Sequence, residues 1–147
     1  MKQRVLFVCI GNACRSPMAE GFARAYGHDC MEVSSGGLSP GAALDPYTRA
    51  VMQERGIDIS RHEPRMLEEA LRHGPTLLIN MSGRPLPHYV RGILSEEWTV
   101  RDPVGEAIHI HREVRDAIEA KVMDLVLRIR TRNEPGKTKQ PRFGRAR

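Results

Sequence analysis

No apolar run in this 147-residue chain approaches the roughly 20 residues that cross a bilayer, which argues against a helical membrane anchor. The first residues lack the basic region, long apolar stretch and cleavage site of a secretory leader, so the cytoplasm is the expected location. Cysteine is sparse. Cys9, Cys14 and Cys30 make no disulfide framework and have no metal-ligand spacing, which suits a reducing compartment and gives no reason to expect a metal. No composition shift marks a second domain within residues 1–130. Acid is nearly missing from the end of the chain: between Thr131 and Arg147, six basic residues face only Glu134. With Pro135, Gly136, Pro141 and Gly144 among them, residues 131–147 are expected to form a flexible basic tail outside the fold. Nucleic acid or an acidic surface could attract such a tail, although a solvated segment that aids solubility is the simpler expectation.

What the chain does contain is concentrated in VLFVCIGNACRSP, residues 5–17. Val5 to Val8 form a short continuous apolar run, as expected for a strand covered on both faces in a parallel sheet. Cys9 follows at the strand end. Gly11 and Asn12 readily adopt left-handed backbone angles, so the amides of Ile10, Gly11, Asn12, Ala13 and Cys14 can curl towards one point and hold an anion. Ser16-Pro17 reads as an N-cap and first helical residue, which would aim a helix N-terminus at the same point. Arg15 adds a planar fork of donors for two oxyanion oxygens. These groups all favour a thiolate, and Cys9 is the expected nucleophile. A cysteine alone at a strand end would more simply be a small buried hydrophobe; the neighbouring residues at these spacings favour catalysis.

The stretch Cys9 to Pro17 resembles the signature loop of the low-molecular-weight protein tyrosine phosphatases and their arsenate reductase relatives, in sequence and in its place after an N-terminal strand. The resemblance implies a phosphocysteine intermediate, a Ser16 hydroxyl that steadies the thiolate, an Asn12 that shapes the loop, and no cofactor. Cys14 has two readings, a passive packing residue or a partner that pairs reversibly with oxidised Cys9, an option the family uses.

Further along, helical spacing is found over Met18–Tyr26, from the Asp45-Pro46 start to Gly56, over Pro64–His73 and from Ile108 onward. In the last of these, Ile110, Val114, Ile118, Val122, Leu125 and Ile129 recur at steps of three or four. Strands are expected over Met31–Ser35, Thr76–Met81 and Glu97–Val100, the last as an edge, and a short helix over His88–Leu94. The alternation predicts an α/β three-layer sandwich, a four-stranded parallel sheet of order 2-1-3-4 with helices on both faces. Ligands bind such sheets beyond the carboxyl ends of the strands, where both Cys9 and Asp102 fall.

Asp102-Pro103 could simply open a turn. Its place before the last helix is similar to the family's acid loop, which makes Asp102 the expected proton donor to a leaving oxygen. Val104, Gly105 and Glu106 stand where the phosphatases commonly carry tyrosines, and the loop Gly36–Gly41 offers Leu38 and small residues where they often carry an aromatic. His109 and His111 are two apart and share no helix face, so they read as ordinary helix-start histidines, and Cys30 as structural. The expected activity is therefore hydrolysis of phosphate monoesters, with protein phosphotyrosine as the family's substrate and a phosphorylated protein or small phosphate ester as the partner. Two alternatives accompany it. One is arsenate reduction with an external thiol, since no resolving cysteine pair follows Cys30. The other is a non-catalytic phosphate or phosphoprotein binder.

Overall fold

The computed structural model describes residues 2–133 and the backbone of residues 144–145. The run Val5–Val8 lies within strand β1 (Gln3–Cys9), whose alternate side chains enter different cores. Val5, Phe7 and Cys9 join one apolar cluster, and Leu6 and Val8 join another on the opposite face. This two-sided burial is why the run shows no polar alternation.

β1 is flanked in parallel by β2 (Met31–Gly37) and β3 (Leu77–Asn80), and β3 pairs in parallel with β4 (Leu94–Glu97). The order is β2-β1-β3-β4, as expected. Gly144 and Arg145 form a two-residue antiparallel strand, β5, beside Ser95 and Leu94. Helices α1 (Arg15–Gly27) and α4 (Ile108–Arg132) contribute Met18, Phe22, Ile118, Val122 and Leu125 to the larger core. Between them in sequence, α2 (Pro46–Gln53) starts on Asp45, whose Oδ1 accepts from the Tyr47 and Thr48 amides at 2.8 and 3.1 Å. α3 (Leu67–Ala70), continued by a 3-10 turn over Leu71–His73, covers the other face with Leu67 and Ala70.

Several boundaries differ from expectation. Ser16 is the second residue of α1 and does not cap it. The third helix is shorter than Pro64–His73 because Arg65 and Met66 run alongside the end of β2: Gly37 donates to the Arg65 carbonyl at 2.9 Å and bridges Met66. The expected helix over His88–Leu94 is one turn, closed by Val90 donating to the Pro87 carbonyl and ended by Gly92 at φ 72°. β4 falls three residues earlier than Glu97–Val100. Its Glu96 is accommodated by a bidentate contact with Arg128 of α4 at 2.7 and 3.0 Å, and Trp98 packs into the main core. No described helix is long and apolar enough to cross a membrane. Of the expected tail 131–147, Thr131 and Arg132 belong to α4; residues 134–143, 146 and 147 lie outside the described residues.

Candidate active site

The loop between β1 and α1 is held from outside by its carbonyl groups. Those of Cys9, Ile10, Gly11 and Ala13 accept from the amides of Leu38, Ser39, Gly41 and Asp45 at 2.8–3.1 Å. The Asn12 carbonyl accepts from His62 Nε2 at 2.7 Å, and that of Cys14 from the Met18 amide at 3.1 Å. Across a trans peptide the N–H points opposite to the C=O, and the chain has no cis bond among its described residues. Outward carbonyls at residues 9–14 therefore turn the amides of Ile10 to Arg15 inward. The amides of Gly11, Asn12, Ala13 and Cys14 donate to no protein acceptor among the described residues. Of the two residues expected to turn left-handed in this cradle of inward amides, Asn12 does so at φ 51°, whereas Gly11 keeps an ordinary negative φ.

Cys9 Sγ, buried, lies 2.9 Å from Ser16 Oγ and 3.4 Å from the Ser16 amide. Ser16 thus turns its hydroxyl to the sulfur. Asn12 donates through Nδ2 to Ser16 Oγ at 2.8 Å and to Ser35 Oγ at 3.0 Å, and accepts the Arg65 amide on Oδ1 at 2.9 Å. Ser35 in turn donates to Glu20 Oε1 at 2.5 Å. Every polar atom of the Asn12 side chain is engaged, which locks the left-handed turn in place.

Arg15 is buried at the carboxyl end of the sheet. Its Nη1 donates to the Met81 and Val100 carbonyls at 2.6 and 3.2 Å, and its buried Nε has no hydrogen-bond partner among the described residues. Nη2 lies 3.4 Å from Asp102 Oδ2, the link that brings the far end of the chain to the cradle. Asp102 is 43% exposed and also accepts the Val104 amide at 3.1 Å, so it opens a turn as well as facing Arg15. An ion pair between Arg101 and Glu106 braces the same loop. The arrangement gathers a thiol, inward-turned amides, a guanidinium and a carboxyl group at one edge of the sheet.

Cys14 contributes its backbone to the cradle, while its side chain faces elsewhere: Sγ comes within 4.8 Å of ligand atoms of Asp45 and His111. Burial pushes this thiol up to about 12. Cys30 is buried and directs Sγ to the Gly27 carbonyl at 3.5 Å, in keeping with a structural role. Leu38 is half-buried and packs against the Leu6 and Val8 cluster.

Sequence reading missed His62, Ser35 and Glu20. His62 stands in no recognisable motif, yet its ring holds the Asn12 peptide in position. Ser35 and Glu20 are 23 and 15 residues from their partners, and only the register of β2 against β1 reveals the contact. His109 and His111 both lie in the first turn of α4, as expected of helix-start histidines, with His111 fully buried and His109 exposed.

Comparison with known proteins agrees with this architecture. A glutaredoxin arsenate reductase from Synechocystis is 34% identical over 130 residues, covering 86% of this chain and 98% of the relative. A solved structure described as an arsenate reductase in the phosphate binding state superposes with a TM-score of 0.80 at 34% identity, over 86% of this chain and 98% of its own. The YwlE arginine phosphatase from Geobacillus stearothermophilus superposes with a TM-score of 0.76 at 25% identity, over 94% of this chain and 99% of its own. The family described as low molecular weight phosphotyrosine protein phosphatase matches residues 4–135, and the chain belongs to it.

Proposed function

We propose that the chain reduces arsenate with an external thiol, through Cys9. The observation that carries this reading is the likeness to arsenate reductases along nearly their whole length, joined to a cradle that fits one small tetrahedral oxyanion. The mouth favours the same substrate. Leu38 is half-buried against the smaller core, and Val104 and Gly105 follow the acid loop's proline, so these positions supply no aromatic wall for an aryl phosphate.

In the proposed reaction the Cys9 thiolate attacks arsenic, and the displaced oxygen leaves as water with a proton from Asp102. The amides of the loop and Arg15 hold the remaining oxygens. A thiol then attacks the Cys9 sulfur. The sulfur–arsenic bond breaks with its electron pair on arsenic, arsenite departs, and a mixed disulfide remains on Cys9. A second thiol releases Cys9 and carries away the disulfide, so two thiols supply the two electrons. The thiol is external because no cysteine pair follows Cys30 in the chain, and burial holds the Cys14 thiol well above its ordinary range.

Hydrolysis of phosphate monoesters is the second reading, favoured by Asp102 beside Arg15 and by the likeness to an arginine phosphatase. Its first step is the same with a phosphoryl group transferred to Cys9, and water, deprotonated by Asp102, replaces the thiol in the second. The deciding experiment compares arsenate-dependent oxidation of glutathione and glutaredoxin with hydrolysis of a generic aryl phosphate, in wild type, Cys9→Ser and Asp102→Asn. Arsenate-dependent thiol oxidation lost in Cys9→Ser supports the proposal. Aryl phosphate turnover without arsenate reduction overturns it in favour of the phosphatase, and phosphate binding with neither activity points to a binder.

A further inference from the structure

Behind the cradle lies a second cluster of side chains from three distant segments, sharing with the reaction only the backbone of Cys14. Cys14 ends the signature loop, Asp45 precedes α2 and His111 sits in the first turn of α4. One ligand atom of each, the Cys14 sulfur, a carboxylate oxygen and a ring nitrogen, lies within 4.8 Å of the other two. His111 is fully buried, and its Nε2 is a buried polar atom with no hydrogen-bond partner among the described residues.

The surroundings of that ring are informative. His111 Nδ1 is 3.2 Å from the Ala107 carbonyl, and Nε2 is 3.4 Å from Asp45 Oδ1. Both neighbours are acceptors, so a neutral ring with its one proton satisfies one of them and turns a lone pair on the other. The Ala107 carbonyl suits the proton at Nδ1, an arrangement usual for metal-bound histidines, which donate their second ring N–H to a carbonyl or carboxylate. Nε2 then presents its lone pair towards Asp45 and Cys14. Asp45 Oδ1 is steadied by the Tyr47 and Thr48 amides, which fixes the carboxylate without neutralising it.

We propose that Cys14, Asp45 and His111 form a binding site for a thiophilic divalent cation of the Zn2+ or Co2+ type. One thiolate, one carboxylate and one imidazole match the donor set and charge that such an ion prefers, and three protein ligands leave a fourth position for water. Binding releases the Cys14 thiol proton to solvent as the sulfur–metal bond forms. An entry path exists: a cavity of about 220 Å³ lined by Asp45, Pro46, Tyr47, Gly105, Glu106 and His111 reaches the cluster from the acid-loop side. A metal here would tie the end of the cradle to the starts of α2 and α4 and withdraw Cys14 from pairing with Cys9.

The test is titration of the full-length, chelator-treated protein with Co2+, read by absorption, because a cobalt–thiolate bond gives a charge-transfer band that needs no activity. Wild type and Cys9→Ser are expected to show the band, and Cys14→Ser to lack it. His111→Gln and Asp45→Asn should weaken binding by at least about tenfold, since even outer-shell partners of a metal matter that much. Asp45→Asn keeps the helix cap and therefore serves even if His111→Gln fails to fold. Absence of the band from wild type overturns the proposal. So does a band lost in Cys9→Ser but unchanged in Asp45→Asn, which would place the metal on the nucleophile.

Discussion

Ser16 Oγ lies 2.9 Å from Cys9 Sγ and accepts from Asn12 Nδ2 at 2.8 Å, so its hydrogen is available to a thiolate at Cys9. Asn12 fixes the position of that hydroxyl, since its amide also donates to Ser35 while its oxygen takes the Arg65 amide. A bond to a charged group contributes about 1.5–3 kcal/mol. If that contribution supports the thiolate in the rate-limiting step, Ser16→Ala should lower turnover by about 10- to 100-fold. KM and the circular dichroism spectrum should barely change. Unaltered turnover would show that the sulfur does not depend on this donor.

Gly37 and Gly36 offer a matched pair of tests. A Cβ on Gly37 would meet the Ile10 carbonyl at 2.7 Å and the Asn12 amide at 3.0 Å, both backbone atoms of the cradle. A Cβ on Gly36 points to the opposite face and would meet Leu67 Cα at 3.0 Å. Both alanine variants should lose about 1–3 kcal/mol of stability through overpacking. Only Gly37→Ala should also lose phosphate binding in calorimetry, because only it displaces the loop. Equal phosphate affinity in the two variants would mean that the cradle tolerates a shift at Ile10.

These residues mark the limit of what could be read from the chain. β1, the signature loop and the cap at Asp45 were legible because each is written in consecutive residues with one physical meaning. α4 was legible for another reason: Val114, Ile118, Val122, Leu125 and Ile129 repeat long enough for periodicity to be unambiguous. The third helix was misjudged because Arg65 and Met66 are claimed by the end of β2, a tertiary contact that overrides local helical pattern. β4 was displaced because Glu96 resembles a surface residue until Arg128 is brought against it. The ring of Asn12, Ser35, Glu20 and His62, and the cluster at Cys14, join residues from separate elements. No local spacing encodes them.

Asp102 faces Arg15 at 3.4 Å with a charge that competes with any bound anion for the same guanidinium. Asp102→Asn removes both the proton donor and the competitor. Turnover should fall by about 100- to 10,000-fold, the usual range for a general acid. Phosphate, measured as an inhibitor or by calorimetry, should bind as tightly or more tightly than to wild type. A variant that keeps wild-type turnover would remove Asp102 from the mechanism, and one that loses phosphate affinity would make its role structural.

Glu54 joins α2 to α4 and carries a signature in acid. Hydrogen bonds from Arg112, then from Arg115, hold its carboxyl at about 2, below the ordinary 4.5. A carboxyl that is more acidic in the folded state binds fewer protons there than in the unfolded chain, so it stabilises the fold above pH 4.5. That stabilisation drains away as pH falls from 4.5 towards 2. Arg115 is buried, donates to the Val51 carbonyl at 3.0 Å and pairs with Asp116 at 2.9 Å, so loss of the Glu54 charge leaves its guanidinium with one carboxylate instead of two. Glu54→Gln should therefore melt lower than wild type at pH 7, and the gap should narrow as the melts are repeated at pH 4 and pH 3. A gap that stays constant across this range would mean that the Glu54 charge contributes nothing and that only its shape matters.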